Sequence, residues 1–301
     1  MNTGKPAGGD GAASAGPGRK LALLGESVMI QHTLFSLPFA IAAVLLETGG
    51  HPQLSDLLWI VLAAASGRNA ANALNRLIDK DIDAKNPRTA SRHLPVGTLK
   101  PKELKLFTAV MLALLVLSAA MLNPLCVILL PLAGILVFGY SYTKRFTWLC
   151  HFWLGLTCSA ATLGAFIGIS GRIEWRYLPV TAGVALWVAG FDILYALQDI
   201  DFDRKEGLKS VPARFGAKKA RLIAALCHLG TLVGLLGIFL FKPYAGLGSG
   251  IALGVSAVLL AVEHVLASGG TERHIRIAAY GINEILPMII LAGVASDLYM
   301  L

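Results

Sequence analysis

Asn75, Asp79 and Asp83 in NRLIDKDID, and Asp192, Asp199 and Asp203 in FDILYALQDIDFD, are the residues of this chain best placed to do chemistry. Seven of the eighteen acidic residues fall in these two segments: Asp79, Asp81, Asp83, Asp192, Asp199, Asp201 and Asp203. On a helix, positions i, i+4 and i+8 stack on one face, so Asn75, Asp79 and Asp83 form one polar stripe. Asp199 and Asp203 repeat that spacing, with Asp192 roughly on the same face. Asp81 and Asp201 point about 160–200° away and belong to the solvated side. Two carboxylates one turn apart suit a hard cation and leave positions open, which is how magnesium binds when substrate phosphates supply the rest. Stacked like charges also destabilise a helix unless something positive lies between them.

Basic residues follow each motif. Lys85, Arg88, Arg92 and Lys100 come after the first, and Arg204, Lys205 and Lys209 after the second, with Lys144 and Arg145 on a loop between them. Arg68 lies inside an apolar run before Asn75, and an intramembrane arginine is by default a functional candidate. Cations around paired carboxylates match a diphosphate, held through metal bridges and direct charge-assisted bonds.

The elements that must position these groups are apolar. Of 301 residues, 55% are hydrophobic and 15% charged, which points to an integral membrane protein. A spanning helix needs about 20 mostly apolar residues. Nine such runs occur, near 27–47, 54–75, 105–122, 125–143, 150–170, 177–198, 218–241, 244–265 and 277–298. The third and fourth meet at Asn123-Pro124, so eight is the alternative count. No ten-residue alternating pattern of a membrane barrel is present. The fold expected is all-α and integral to the membrane, about nine transmembrane helices around a central cavity, with caps on the cytoplasmic side carrying the two Asp-rich motifs.

Charge sets the expected orientation. Lys5, Arg19, Lys20, the loop from Arg76 to Lys105, Lys144, Arg145, the stretch Arg204 to Arg221, Arg273 and Arg276 fall on one side; Arg172, Arg176 and Lys242 fall on the other. The positive-inside rule places the N-terminus and both motifs in the cytoplasm and the C-terminus outside. The net charge of +8 is therefore read as topology, and no nucleic-acid partner is expected. Residues 1–24 read as a disordered cytoplasmic tail and 25–301 as a single transmembrane domain. Cys126, Cys150, Cys158 and Cys227 have no CxxC pairing and read as core residues. His51, His93, His151, His228, His264 and His274 lack metal-ligand spacing and read as structural or exposed. His32, Thr33, Asn283 and Glu284 are polar residues inside apolar runs, either lining the cavity or bonding between helices. Gly164, Gly168 and the Gly246/Gly248/Gly250 run read as close-packing positions.

The motifs recur 120 residues apart, each after an apolar helix and before a basic loop, as an old duplication would leave them. An oily cavity with a diphosphate at its mouth suggests a substrate with an apolar tail, and isoprenyl diphosphates fit.

NRLIDKDIDAKNPRTASRHLPVG resembles the first signature of the UbiA family of intramembrane prenyltransferases. FDILYALQDIDFDRKEGLKSVPARFG resembles the second, and YSYTKRFTWL is similar to the loop between the fourth and fifth helices. The resemblance implies that Asp79, Asp83, Asp199 and Asp203 bind two magnesium ions carrying a polyprenyl diphosphate, assisted by Asn75. Arg88, Arg92, Lys144 and Lys209 would contact the phosphates. Arg68, Tyr195 and Asp192 would face the cavity where an aromatic hydroxy acid sits. Within the family the chain looks most like the 4-hydroxybenzoate polyprenyltransferase branch of quinone biosynthesis, in the inner membrane. Its HTLFSLPFA and FDILYALQDIDFD segments are closer to members proposed to act on a dihydroxynaphthoate in a menaquinone route. The reaction implied is electrophilic aromatic substitution. Asp199, Asp192, the released diphosphate or a water takes the ring proton, and Arg68 or Arg145 meets an acceptor carboxylate. A transporter using the acids as an ion relay would need them near the midplane. A CDP-alcohol phosphotransferase would need a Gly and Arg spacing that neither motif supplies.

Overall fold

A computed structural model describes residues 17–29, 33–269 and 281–300, and every described element in it is helical. The helices are α1 (Pro17–Ser27), α2 (Thr33–Thr48), α3 (Leu54–Ile78), α4 (Lys80–Lys85), α5 (Pro101–Leu122), α6 (Pro124–Phe146), α7 (Cys150–Ser170), α8 (Tyr177–Tyr195), α9 (Ile200–Lys205), α10 (Val211–Leu235), α11 (Leu247–Ser268) and α12 (Asn283–Tyr299). A 3₁₀ turn at Ala196–Asp199 joins α8 to α9, and another at Leu236–Leu240 extends α10.

Six of the helices are long and apolar enough to cross a membrane: α5, α6, α7, α8 with its extension, α10 with its extension, and α11. The protein is thus a multi-pass membrane protein. α2 and α12 have 16 and 17 residues, short of that length. α3 is long enough, but Arg68, Asn69, Asn72, Asn75 and Arg76 crowd its second half. All of these but Asn69 line the site below, of which α3 is the main wall. At Asn123 the backbone is extended, and its side chain accepts from Cys126 N at 3.0 Å while donating to Ile167 O at 2.9 Å. The third and fourth apolar runs are therefore two helices, joined by an N-cap that also ties down the end of α7.

Contacts run from α2 to α3, α5, α6, α7, α8, α10, α11 and α12 in turn, and α12 closes back on α2. The ring is sealed on its inner side by Trp187, fully buried against Phe35, Phe39 and Phe191. On the outer side Leu106, Ile128, Leu132, Leu229, Val233 and Val258 are exposed, a surface suited to lipid rather than water. Gly183 and Gly234 bring α8 and α10 into backbone contact; a Cβ on Gly234 would lie 2.6 Å from Gly183 Cα. Gly248 meets Gly293 of α12 in the same way, as expected, whereas Gly164 has nothing within reach of a Cβ and borders a cavity.

The N-terminal segment differs from the expected tail. Residues 17–24 lie in α1, whose Leu23 and Leu24 pack over Ala73, Leu94 and Leu104. Asn72 Nδ2 donates to Val28 O at 2.8 Å and Arg76 Nε to Ser27 O at 3.2 Å. Polar groups of α3, invisible as partners in the sequence, hold this segment beside the first motif. His32 and residues 270–280, with Arg273, His274 and Arg276, lie outside the described residues, as does the side chain of Thr33.

Candidate functional site

Each acidic motif is a long helix stopped at an aspartate and followed by a six-residue helix. Asp79 (φ −95°, ψ 6°) joins α3 to α4, and Asp199 (φ −105°, ψ 6°) joins the 3₁₀ turn after α8 to α9. Both sit in the sparsely used bridge region of backbone space, where many active-site residues are found. The sequence predicts one unbroken stripe, and the break was not legible in it. In the first motif the stripe survives, because Asp79 N still bonds Asn75 O at 2.9 Å and Asp83 N bonds Asp79 O at 2.7 Å. Asp81 and Asp201 are exposed, as expected.

The two motifs meet at one cavity of about 270 Å³. α3 supplies Arg68, Asn75 and Arg76; Asp79 and Asp83 follow; the next loop gives Asn86, Arg88 and Arg92. α6 adds Lys144, α7 His151, α8 Asp192 and Tyr195, and the second motif Asp199 and Asp203. Five carboxylates and five basic side chains thus line it.

The first motif is buried and saturated with cations. Asp79 Oδ2 accepts from Lys144 Nζ and from Asn75 Nδ2, both at 2.6 Å, and Oδ1 from Arg145 at 3.1 Å. Asp83 Oδ2 accepts from Arg92 at 2.7 Å and has Arg76 at 3.6 Å. The second motif is more open. Asp199 is gripped by the Arg88 fork, Nε to Oδ1 at 3.0 Å and Nη2 to Oδ2 at 2.5 Å, with Asn86 on Oδ1 at 3.0 Å. Arg88 also donates to Tyr195 OH at 2.6 Å. Asp203 Oδ2 accepts from Ser210 Oγ at 2.7 Å. Above the mouth, Lys85 pairs with Glu206 at 2.9 Å, tying the two loops; this hydrogen bond holds the Lys85 ammonium above its ordinary pKa.

Arg145 and Lys209 do not line this cavity. Arg145 sits behind Asp79, donating to Ser141 O and Ile78 O as well. The backbone of Lys209 pairs with Lys144 O, which turns its exposed side chain to Phe146 O at 3.2 Å. Asn283 bonds Trp187 and Glu263 between helices, and Glu284 is exposed, so neither reaches the cavity.

His151, read from sequence as structural or exposed, is buried, and its Nδ1 lies 2.7 Å from Asp192 Oδ2. The signal available was its place: first turn of one helix, with an aspartate in the last turn of the next, antiparallel one. Arg68 occupies a boundary. It lines this polar cavity and also an apolar one of about 320 Å³ between α3, α5, α6 and α7. Its Nη1 has Cys158 Sγ at 2.7 Å, while its buried Nε has no partner.

Among the described residues no three His, Cys, Asp or Glu side chains converge as a ready-made metal cluster. The donor set instead offers carboxylate pairs, one per motif, facing each other. That fits magnesium, which takes one or two carboxylates and completes its octahedron with water and phosphate oxygens.

The model of the UbiA prenyltransferase family matches residues 36–283. A protein of Vibrio vulnificus (strain CMCP6) named 4-hydroxybenzoate octaprenyltransferase is 32% identical over 265 residues, covering 87% of this chain and 91% of that protein. The apo structure of a UbiA homologue from Aeropyrum pernix K1 superposes with a TM-score of 0.80 at 33% identity, covering 89% of this chain and 98% of the other. A UbiA homologue from Archaeoglobus fulgidus, bound to GPP and Mg2+, shares the fold with a TM-score of 0.65 at 20% identity, over 92% and 99%. With two aspartate-centred motifs closing over one cavity inside a helical ring, and with a family match across most of its length, the chain belongs to the UbiA prenyltransferase family.

Proposed function

We propose that this protein transfers a polyprenyl group from its diphosphate to an aromatic hydroxy acid, 4-hydroxybenzoate or a dihydroxynaphthoate, in respiratory quinone biosynthesis. The observation that carries the reading is the junction at Arg68: a mouth lined by carboxylates and cations leads past one half-satisfied guanidinium into an apolar cavity. In this reading nine helices span the inner membrane, with the N-terminus and both motif caps cytoplasmic, supported by the distribution of lysine and arginine.

Asp79 and Asp83 would hold one magnesium ion, with Asn75 assisting, and Asp199 and Asp203 a second. Bound there, the ions neutralise the diphosphate and make it a better leaving group. Lys144, Arg92 and Arg88, now on the carboxylates, are within reach of phosphate oxygens once those carboxylates turn to other ligands. Arg145 and Lys209 stand outside that set, since neither lines the cavity and Arg145 reaches it only through Asp79. The apolar cavity takes part of the tail. Phe35, Phe191 and Tyr195 line the polar one, and their ring faces stabilise an allylic cation as it separates from the diphosphate.

For the acceptor carboxylate the geometry favours Arg68 over Arg145. Arg145 already serves Asp79 and two carbonyls, whereas Arg68 holds a buried N–H without a partner. For the ring proton it favours Asp192. Both oxygens of Asp199 are engaged by Arg88 and Asn86, while Asp192 has His151 on one oxygen.

The test offers 4-hydroxybenzoate and 1,4-dihydroxy-6-naphthoate separately to the full chain in nanodiscs, with magnesium and a long prenyl diphosphate. Product from one acceptor establishes the reaction and the pathway. Absence of both product and diphosphate binding overturns the reading in favour of a carrier.

A further inference from the structure

His151 lies in the first turn of α7 and faces two groups at once. Its Nδ1 meets Asp192 Oδ2 at 2.7 Å, and its Nε2 lies 3.3 Å from the backbone N of Val211. Val211 is the first residue of α10, so its N–H is one of those a helix start leaves without an internal partner. A backbone N–H can only donate. Nε2 must therefore be the unprotonated, accepting nitrogen, and the hydrogen of the neutral ring lies on Nδ1. The ring is buried at both ends and cannot reorient without orphaning one partner.

We infer that His151 is a positioning residue for this reaction: clamped by the start of α10, it donates from Nδ1 to Asp192 and fixes that carboxylate toward the acceptor. The inference rests on the prenyl-transfer reading. Held through Oδ2, Asp192 keeps its other oxygen for the cavity that it lines. After the prenyl carbon has bonded to a ring carbon of the acceptor, the C–H bond at that ring carbon breaks. Its electron pair restores the aromatic ring, and the proton passes to the Asp192 carboxylate. His151 gains and loses nothing in this step. Its role is to stop Asp192 from turning onto Arg68 or a metal-bearing neighbour.

Two variants separate positioning from mere support of α10. Asn places an amide at the δ position and can still donate to Asp192, but it leaves Val211 N–H without an acceptor. Gln reaches the ε position and can still accept from Val211, but it loses the donor to Asp192. Positioning predicts that His151→Asn keeps kcat within about threefold of the parent while lowering the melting temperature. His151→Gln should melt like the parent but lose about 10- to 100-fold in kcat, the usual effect of removing an orienting partner, with magnesium-dependent prenyl diphosphate binding unchanged. The opposite order, Gln active and Asn impaired, would make His151 a helix support and overturn the inference, as would equal effects of both.

A nitrogen-15 NMR spectrum of the histidine-labelled protein reads the same point without turnover. A neutral Nδ1–H ring at residue 151, identified by its loss in His151→Gln, is expected; an Nε2–H or doubly protonated ring contradicts it. Failure of the parent protein to transfer prenyl groups would sink the reaction reading, while the tautomer would still be decided.

Discussion

Asp79 and Asp199 occupy the same place in two copies of one device, a long helix stopped at a bridge-region aspartate before six further helical residues. Their surroundings differ. Asp79 is 1% exposed and meets Lys144, Arg145 and Asn75, all from the two helices beside it. Asp199 is partly open, and its partners Asn86 and Arg88 come from the loop that follows the other motif. Asp79 is thus held by the helical ring itself, whereas Asp199 is held by a loop that also supplies Arg92 to Asp83.

The largest effect expected is on turnover. Asp79→Ala and Asp199→Ala should each lower prenyl transfer by about 100-fold or more, since in the proposed function each would remove a carboxylate that holds a magnesium ion against the developing diphosphate charge, worth several kcal/mol. The comparison sharpens in stability. Asp79→Ala leaves Lys144 and Arg145 facing each other without their carboxylate and should cost about 3 kcal/mol, visible as a lower melting temperature. Asp203→Ala, which loses one hydroxyl partner, should cost about 1 kcal/mol. Equal melting of the two variants would break the distinction between a densely paired Asp79 and a sparsely paired Asp203.

Next in size, Arg68→Gln should raise the acceptor KM about 10-fold or more while leaving prenyl diphosphate affinity unchanged, the value of one charge-assisted bond. Loss of diphosphate binding in that variant would move Arg68 to the other substrate. Arg88→Ala should weaken diphosphate binding about 10-fold without a change in melting temperature. The smallest effect concerns the tie between the loops. Lys85→Ala should leave the melting temperature at neutral pH unchanged within error, because both groups reach water. Any contribution of this raised-pKa lysine would be present at neutral pH and fade only as pH rises through its folded-state value, above the ordinary lysine range.

Much of this was legible in the sequence. Apolar runs placed the helices, and the i, i+4 spacing of Asp79 with Asp83 and of Asp199 with Asp203 placed the carboxylates. What was not legible depends on tertiary neighbours. The backbone breaks at Asp79 and Asp199 leave no compositional mark, because the flanking residues are good helix formers. Lys209 was expected at the phosphates from the resemblance alone; its backbone bonds Lys144 O and its side chain donates to Phe146 O, a placement no local sequence feature marks. His151 had no local partner to announce it; its aspartate lies 41 residues on, across an antiparallel helix pair. Residues 17–24 begin with the Pro, Gly and basic residues of a tail, yet Leu23 and Leu24 pack on a cluster beside α3, whose Asn72 and Arg76 bond the adjoining Val28 and Ser27 carbonyls.

If the proposed function holds, the two unlike half-sites act together on one diphosphate. Isothermal titration of a non-reactive prenyl thiodiphosphate into the full chain, with and without magnesium, tests it most directly in the parent, Asp79→Ala and Asp199→Ala. Metal-dependent binding in the parent and its loss in both variants are expected. Binding that ignores magnesium, or that survives in either variant, would contradict it.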